Sequence, residues 1–549
     1  MPLQKNQVLT LQVERLSSDG SGVAHSPEGE TVFIPGAAPG DEALVRIVKD
    51  CKRYAFGILD KVLTPSPDRI PVDCAVAGPC GGCSLRHLDY AAELRAKQEN
   101  VADAFARIGG LDVPVLPIVG SPEIDRYRNK VQFPVGTDKT GCPCIGFYAG
   151  RTHRIVPCPD CRLQPGVLNE IGNTLCAFFA EKGIRPYNEE TGKGLVRHIF
   201  LRRGAHSGQI MVCLVCTRAK LPSSDELCTR LKETFPDIVT ILLNVNAKST
   251  NVILGSETHT LYGQGYIEDT LCGVPVQLGP LSFYQVNTLA AEQLYGIAAE
   301  YAQLTPDDLL LDLYCGMGTI GLSMADHCRE LVGVEIVPEA IESAKANAAR
   351  MGAAVSAKSR FFCADAGQAA AQLAAEGLHP DVVMLDPPRK GCDEATLSAV
   401  VRMAPRRVVY VSCNPATAAR DAAWLEQNGY HAEKVQPVDL FPRTKHCECV
   451  IALSKGEIDS KKVRVEFSLE GMDTSGLQKG ATYPEIKARV LEQTGLKVSS
   501  LYISQVKQKC GLEVRENHHK AKSENAKQPQ CPPEKEAAIR DALKYFKML

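Results

Sequence analysis

The sequence predicts a multidomain α/β protein with a small N-terminal β-barrel, a central mixed, β-rich domain with a cysteine cluster, a doubly wound α/β domain and a small C-terminal extension. Three observations predict this class: short strands between Gly- and Pro-rich turns near the N-terminus, closely spaced cysteines, and apolar strands that alternate with helices after about residue 286. A chain of 549 residues, at about 150 residues per domain, has room for these parts. The predicted domains are 1–60, 61–285, 286–455 and 456–549.

Composition and charge exclude several classes of protein. With 44% apolar and 23% charged residues, the chain is neither disordered nor fibrous. Its 62 Lys and Arg nearly balance 64 Asp and Glu, which excludes a wholly basic packaging protein but allows a local basic groove for nucleic acid. No segment has the run of about 18 apolar residues that a membrane span needs. We expect a cytoplasmic protein without membrane contact, in which 22 cysteines indicate metal, cluster or catalytic chemistry rather than cross-links.

The N-terminal barrel is predicted from strand-like runs that are separated by turn clusters such as Ser17–Gly22. A proline-containing linker, Thr64–Arg69, then leads to the spacing Cys74-x5-Cys80-x2-Cys83. The sequence therefore predicts a barrel that is followed by the cysteine-rich start of a second domain.

A glycine-rich loop opens the doubly wound domain. Gly316-Met317-Gly318-Thr319-Ile320-Gly321 lies between the apolar run Leu309–Tyr314 and a predicted helix, Thr319–Cys328. Glu335 ends the next strand, 19 residues after Gly316. Glycines let a ligand approach the backbone at a helix N-terminus, and an acid at this distance can accept hydrogen bonds from a ribose diol. The pattern fits NAD or S-adenosylmethionine in a Rossmann-like domain, and the alternative is a glycine turn without a ligand.

Further candidate residues follow apolar strands in the same domain. The motif Asp386-Pro387-Pro388-Arg389 follows one such strand, and Cys413 follows the strand Val408–Val411. Because parallel strands deliver their carboxyl ends to one edge of a sheet, both motifs are predicted to face one crevice, where a Cys413 thiolate can act as a nucleophile. Glu448, in a predicted terminal strand, is available as a base. The alternatives are a rigid turn, a buried structural thiol and a solvated edge-strand acid.

These motifs, in this order, resemble the RNA uracil-5-methyltransferase family, in particular the bacterial 23S rRNA (uracil-5-)-methyltransferases, over about residues 1–455. The barrel resembles a TRAM domain, which is OB-like, and Ser282–Asn287 resembles the segment that precedes the cofactor fold. The resemblance implies that Cys413 is the nucleophile and Glu448 the base. It also implies that five residues contact S-adenosylmethionine. They are Gln285, Tyr314, Glu335, Asp386 and Asp365.

The implied reaction explains why these residue types occur together. Uracil C5 is a poor nucleophile, and addition of a thiolate at C6 creates an enolate whose C5 can attack a sulfonium methyl group. A carboxylate then takes the C5 proton so that the thiolate can leave. The target base must be flipped out or lie in a loop, so RNA-binding surfaces are needed. The candidates are Lys52-Arg53-Tyr54 on the barrel and Arg126-Tyr127-Arg128-Asn129-Lys130, in which an aromatic ring among cations can stack on a base.

The resemblance implies 5-methyluridine formation in 23S rRNA, and we expect a monomer. Three alternatives stay open. The target can be the T-loop uridine of tRNA, or the chain can be a cluster-containing RNA-binding protein without activity. A nicotinamide oxidoreductase would explain only the segment from Gly316 to Glu335.

The cysteine-rich segment resembles the family's four-iron four-sulfur site. The resemblance implies that Cys74, Cys80, Cys83 and Cys161 are the ligands. The alternative is zinc held by four cysteines, which includes a separate cluster of Cys142, Cys144, Cys158 and Cys161.

The C-terminal extension lies outside the resemblance. Residues 457–549 carry 17 Lys and Arg against 13 Asp and Glu, and this charge fits either an RNA contact or an oligomerising or solubilising tail.

Overall fold

The computed structural model describes residues 3–150, 152–248, 251–456, 483–496, 498–510 and 531–546. The chain divides into two compact units, Met1–Asp459 and Ser460–Leu549. None of the helices in the described residues combines the length and apolar character that a membrane span requires.

A closed five-stranded barrel begins the first unit, as the sequence predicts. Its strands follow one another in the order β1-β2-β3-β5-β4. Alternate side chains such as Val32, Ile34 and Val45 point inward and are fully buried. The last strand continues past residue 60, the predicted end of the domain, because it stays paired with β4 up to Thr64. The bounds are β1 Val8–Leu16, β2 Ser21–His25, β3 Thr31–Pro35, β4 Glu42–Asp50 and β5 Tyr54–Thr64.

The central part holds a seven-stranded sheet and a separate hairpin. A helix, α1, spans Tyr90–Asp103 and continues as a π-helical turn, Ala104–Gly109. The sheet has the strand order β12-β11-β10-β9-β6-β7-β8, and β13 pairs with β14 alone. The bounds are β6 Lys130–Thr137, β7 Pro143–Tyr148, β8 Ile155–Pro157, α2 Gly166–Glu181, β9 Val196–Arg203, β10 Ile210–Cys216, α3 Ser224–Thr234, β11 Ile238–Val245, β12 Glu257–Tyr262, β13 Ile267–Leu271 and β14 Val274–Leu278.

A doubly wound sheet completes the first unit. Its strand order is β17-β16-β15-β18-β19-β21-β20, with five parallel strands followed by two antiparallel ones. Helices cover both faces, so the central strands are buried and mostly apolar. The bounds are α4 Thr288–Ala302, β15 Leu309–Leu313, α5 Thr319–Ser323, β16 Glu330–Glu335, α6 Pro338–Arg350, α7 Ala353–Lys358, β17 Ser359–Cys363, α8 Ala366–Ala375, β18 Val382–Leu385, α9 Glu394–Met403, β19 Arg407–Ser412, α10 Pro415–Gln427, β20 Tyr430–Val438 and β21 Glu448–Lys455.

The helix after the glycine-rich loop is shorter than the sequence predicts. The expected helix over Thr319–Cys328 ends at Ser323, and a short 3₁₀ turn follows. The Ser323 hydroxyl donates to the carbonyl of Ile320 at 2.7 Å. Such a local side-chain bond competes with helical hydrogen bonding, so the prediction of one continuous helix was wrong.

The second unit contains three described helices with a core of their own. They are α11 Tyr483–Thr494, α12 Ser500–Lys509 and α13 Pro533–Tyr545. Buried apolar side chains from all three pack together, among them Ile486, Ile503 and Ile539. The described part of the extension is therefore a small helical unit.

Candidate active site

The glycine-rich loop lies where β15 ends and α5 begins. Gly316 and Gly318 have φ angles of 55° and 79°, which favour glycine. A Cβ atom on Gly318 would lie 3.2 Å from Ala344 Cβ, whereas no described atom lies within 4 Å of the Cβ position of Gly316. The backbone at Gly316 therefore borders open space that a ligand can enter closely.

Glu335, at the end of β16, is hydrogen-bonded to this loop. Its Oε2 accepts a hydrogen bond from the Gly316 amide at 3.2 Å, and its Oε1 accepts one from the Val337 amide at 2.9 Å. Each oxygen keeps a second lone pair for a ligand hydroxyl. Ile336 and Phe362, which are 61% and 38% exposed, lie at the ends of β16 and β17 and offer apolar faces beside the acid. Sequence reasoning missed both, although each stands where a parallel strand ends.

Two other predicted cofactor contacts, Tyr314 and Asp365, also have structural partners. The Tyr314 hydroxyl lies 3.3 Å from Thr396 Oγ1, and burial raises the pKa of Tyr314. Asp365 caps α8, where its Oδ1 accepts from the amides of Gly367 and Gln368. Their contacts to S-adenosylmethionine stay predictions.

Asp312 is a buried acid to which the sequence reasoning gave no role. Its Oδ2 accepts a hydrogen bond from the Gly321 amide at 3.0 Å, and its Oδ1 has no partner among the described residues. Burial raises the pKa of Asp312 to about 8, and nearby Asp386 and Glu335 act in the same direction. Its position within the apolar strand β15 was the available signal. An unpaired buried oxygen beside an open loop fits a ligand that brings a hydrogen-bond donor, as S-adenosylmethionine does.

Gln285 lies at the start of α4, where its neighbours hold it in place. Its backbone carbonyl accepts from Asn129 Nδ2 at 2.7 Å, and its side chain is within hydrogen-bond range of the Tyr295 hydroxyl. Tyr295 also lies 3.4 Å from Thr319 Oγ1, and burial together with Asp386 raises its pKa. Gln285 is thereby linked to the helix that follows the glycine-rich loop.

Cys413, directly after β19, lies near Glu448, the first residue of the neighbouring strand β21. Ser412 pairs with Cys449 in the register of β19 and β21, so Cys413 and Glu448 occupy the next opposed positions. Asp386, half-buried at the end of β18, lies close enough to raise the pKa of both groups. The three side chains therefore meet at the edge of the sheet. The sequence predicts this for Asp386 and Cys413, because each follows an apolar strand.

The electrostatics of this group are unusual. Burial raises the pKa of Glu448 to about 8 and that of Asp386 to about 7. Burial also raises the pKa of the Cys413 thiol, and the two acids raise it further. The Arg389 side chain lies within hydrogen-bond range of Cys413 and opposes these shifts at Cys413 and Glu448. Perturbed acids beside a thiol in a crevice are typical of a catalytic site, and sequence reasoning gave Arg389 no role although it directly follows the two prolines.

The thiol opens into a groove of about 520 Å³ between the barrel and the doubly wound domain. Phe33 of the barrel and His446 supply ring faces to its walls. Tyr54, from the predicted barrel surface patch, is 41% exposed and packs edge-on against Phe33. A cationic groove with rings beside a thiol can hold an unstacked nucleotide strand. The basic side chains that line it are Arg15, Arg107, Arg389 and Lys445, and Lys97 borders it with a buried ammonium group.

The second predicted RNA-binding segment, Arg126–Lys130, does not form a stacking surface. Tyr127 is buried, and its hydroxyl donates to the carbonyl of Pro442 at 3.0 Å. Arg126 forms an ion pair with Asp160 and donates to backbone carbonyls. The prediction that Tyr127 stacks on a base was therefore wrong, because its ring is buried, whereas RNA contact by the half-buried Arg126, Arg128 and Lys130 stays a prediction.

The predicted cluster ligands line a cavity of about 270 Å³. The Cys158 thiol lies in the same cavity, and its hydrogen bond lowers the pKa of Cys161. Burial raises the pKa of Cys83 to about 11, although the nearby Arg86 acts to lower it. Nε of Arg86 and Nε of Arg162 have no hydrogen-bond partner among the described residues. The four predicted ligands in this cavity are Cys74, Cys80, Cys83 and Cys161.

No three Cys, His, Asp or Glu side chains in the described ranges lie close enough together to hold a single metal ion. Cys142 and Cys144 do not line the cavity, and Cys144 lies near Cys176 instead. The alternative zinc set of Cys142, Cys144, Cys158 and Cys161 is therefore not assembled among these residues.

The fold and the crevice define a methyltransferase of the S-adenosylmethionine-dependent class. Residues 276–456 match the tRNA (Uracil-5-)-methyltransferase family, and residues 2–59 match the TRAM domain. An uncharacterized RNA methyltransferase of Halalkalibacterium halodurans is 44% identical over 82% of this chain and 98% of its own length. One of Clostridium tetani is 41% identical over 83% and 98%. The chain belongs to the RNA (uracil-5-)-methyltransferase family.

A solved structure agrees with this assignment. The tRNA (uracil-54, C5)-methyltransferase of Pyrococcus abyssi, solved in complex with S-adenosyl-L-homocysteine, is 27% identical with a TM-score of 0.64. The match covers 81% of this chain and 100% of that one. The matched relatives therefore confirm the predicted fold class and the predicted RNA methyltransferase activity, which favours methyl transfer over the nicotinamide oxidoreductase alternative.

Proposed function

We propose that the protein methylates C5 of a uridine in 23S rRNA through a covalent bond between Cys413 and uracil C6, in the cytoplasm. The observation that carries the proposal is the opposed pair of Cys413 and Glu448 at the edge of the cofactor crevice, with Arg389 beside the thiol. When S-adenosylmethionine is bound, it supplies an electrophilic methyl group. Gln285, Tyr314, Glu335 and Asp386, with Asp312 and Asp365, would hold it.

The side chains divide the reaction into steps. Arg389 favours the Cys413 thiolate, which adds to C6 and pushes the electron pair to C5. C5 takes the methyl group and loses its hydrogen as a proton to Glu448. The C6–sulfur bond then breaks, and the Cys413 thiolate is regenerated. Because burial raises the pKa of Glu448 to about 8, its carboxylate is a stronger proton acceptor than an exposed glutamate.

The target RNA has a second candidate. The Pyrococcus abyssi relative acts on uridine 54 of tRNA, and its match to this chain favours the T-loop as the alternative substrate.

The proposal is tested by nucleoside mass spectrometry. Unmodified 23S rRNA and tRNA are each incubated with S-adenosylmethionine and wild-type protein, Cys413→Ala or the barrel control Cys51→Ala. We expect 5-methyluridine in 23S rRNA with wild type and Cys51→Ala, and a loss of at least about 10⁴-fold in Cys413→Ala. Product in tRNA alone would support the second substrate. Cofactor binding without methylation of either RNA would instead indicate an inactive RNA-binding protein.

A four-iron four-sulfur cluster on Cys74, Cys80, Cys83 and Cys161 belongs to the same proposal, as structural support. Four thiols that line one cavity support the cluster part of the proposal. The unpaired Nε donors of two arginines fit the anionic sulfur of such a cluster.

Iron and labile-sulfide assays on purified protein test this part. We expect Cys74→Ser to lower the iron content and the soluble yield more than the turnover of the surviving folded protein, and Cys142→Ser to change neither. Stoichiometric zinc without sulfide would contradict the cluster, and an intact yield with lost turnover would contradict its structural role.

A further inference from the structure

The connection between β20 and β21 carries one wall of the groove. Val438, the last residue of β20, pairs with Glu448, the first residue of β21. The nine residues between them, Asp439–Cys447, form a loop, here called the β20–β21 loop. Its C-terminal part reaches the groove, where His446 and Cys447 lie beside Cys413. The loop therefore leads directly into Glu448, whose backbone is also paired with Val438 of β20.

A buried lysine of helix α1 binds the start of the loop. Lys97 is only 1% exposed, and its Nζ donates to Asp439 Oδ1 at 2.7 Å and to the carbonyl of Phe441 at 3.2 Å. The third acceptor of Nζ is Glu93 Oε1 on the same helix, at 2.7 Å. One ammonium group thus binds two points of the loop and one of the helix.

The same acid also binds the loop further along. Glu93 Oε1 accepts the backbone amide of Arg443 at 2.7 Å, and the Arg443 guanidinium donates to the carbonyl of Leu88 at 3.0 Å. Arg443 has a φ of 68°, a conformation that side chains other than glycine rarely adopt. The strained backbone persists because contacts on both sides hold it.

Other contacts hold Asp439 and Leu440. The Tyr90 hydroxyl donates to Asp439 Oδ2 at 2.9 Å, and Asn287 Nδ2 donates to the Leu440 carbonyl at 3.1 Å. Asn287 caps α4, directly after the segment that contains Gln285. The loop is therefore tied to α1 and to the segment at the cofactor crevice.

Such a network costs free energy that apolar packing would not. Removing a charge from water costs several kcal/mol, and well-packed apolar residues often replace a buried ion pair without loss of stability. What hydrogen-bonded charges add is a single geometry, because Nζ binds three acceptors in fixed directions. The network begins at Asp439, directly after Val438, which pairs with Glu448. Its fixed geometry therefore bears on the position of Glu448.

We propose that Lys97 is a positioning residue that holds the β20–β21 loop so that Glu448 faces the C5 proton of the uridine bound to Cys413. The inference rests on the proposed function. Lys97 does not touch the reacting atoms; it acts through Asp439 and the loop. Its loss should therefore slow proton removal more than thiol addition and methyl transfer.

Lys97→Met tests this, because methionine keeps most of the length of the unbranched side chain but carries no charge. RNA that contains 5-fluorouridine at the methylated position forms the methylated adduct with Cys413 and stalls, because fluorine cannot leave as a proton. We expect Lys97→Met to form this adduct at a rate within about threefold of wild type. On uridine RNA its turnover should fall about 10- to 100-fold, with accumulation of a methylated protein–RNA adduct that wild type does not accumulate.

Two further variants keep the test decisive. Asp439→Asn retains the shape of the loop acid. Its turnover should also fall more than its rate of adduct formation, but by a smaller factor than in Lys97→Met. Arg95→Met, on the exposed face of α1, should match wild type in both assays. If adduct formation and turnover fall in parallel in Lys97→Met and Asp439→Asn, or if neither falls, Lys97 does not position the base. If wild type forms no adduct, the proposed function fails before the inference is reached.

Discussion

Two groups of buried or half-buried acids in the first unit differ in how closely cations bind them. Glu93 and Asp439 are bound by Lys97, and the Arg443 amide adds to Glu93. Asp386 and Glu448 share the crevice, where Arg389 is the cation that lowers the pKa of Glu448. Burial raises the pKa of the crevice acids to about 7 and about 8.

This difference distinguishes acids that hold the structure in place from acids that are suited to proton transfer. A buried carboxylate that is bound by an ammonium group is held in one geometry, even though burial raises the pKa of Glu93 as well. A buried carboxylate without such a partner holds protons near neutral pH, where it can take one up or release one. The first group therefore supports the loop, and the second is suited to catalysis.

Among these acids and cations, the largest expected effect comes from the proposed base. Glu448→Gln removes the proton acceptor but keeps the shape, so turnover should fall about 10²- to 10⁴-fold. Methylated adduct on Cys413 should accumulate, because the steps before proton removal remain. Quenched-flow sampling with denaturing gels measures both quantities. Turnover at the wild-type rate would show that Glu448 is only a buried structural acid.

A smaller effect is expected from the crevice cation. Arg389→Met removes the group that lowers the pKa of Cys413 and of Glu448, so both pKa values should rise. The acidic limb of the profile of kcat/KM against pH should then move to higher pH, with a loss of about tenfold at pH 7 that shrinks as the pH increases. An equal loss at every pH would instead indicate that Arg389 binds RNA without tuning the thiol.

The stabilities of matched variants test the comparison directly. Glu93→Gln should lower the melting temperature, because it leaves Lys97 with one fewer anionic partner in the interior. Glu448→Gln should leave the melting temperature at pH 8 unchanged or raise it, because it removes an unpaired buried acid. Differential scanning fluorimetry of the cofactor-free proteins compares them. A larger loss in Glu448→Gln would reverse the assignment of the two groups.

The smallest effect is the pH dependence of that stability. A carboxyl whose folded pKa of about 8 exceeds its ordinary value of 4.5 is protonated in the folded chain and ionised in the unfolded chain between those values. Its contribution to stability is present below pH 4.5 and is lost as the pH rises to about 8. The melting temperature of wild type should therefore fall relative to Glu448→Gln over this range. The exposed-acid control Glu342→Gln should show a constant difference from wild type.

Much of the crevice was predictable from the sequence, for a physical reason. Parallel strands must end at the same edge of a sheet. Once the apolar strands before Gly316, Asp386 and Cys413 were identified, these motifs could therefore be predicted to lie close together. The position of Glu448 was harder to predict, because its placement near Cys413 depends on the antiparallel register of β21. The resemblance to a family supplied what the spacing alone could not.

The remaining features depend on contacts between distant parts of the chain. Lys97 reads as a surface lysine of an ordinary helix, and its partner Asp439 lies 342 residues further along. Tyr127 resembles an exposed stacking ring among cations, but the interior covers it. No local pattern encodes such pairings, because burial is decided by how the domains pack.

The central claim, that Cys413 bonds to the uracil ring, is tested most directly by peptide mass spectrometry of trapped enzyme. Wild-type protein is incubated with S-adenosylmethionine and RNA that contains 5-fluorouridine, then digested with protease and nuclease. The account predicts one modified peptide, which contains Cys413 and carries a methylated fluorouridine nucleotide. A nucleotide on a different cysteine, or methylated RNA released without any protein-bound intermediate, would contradict it.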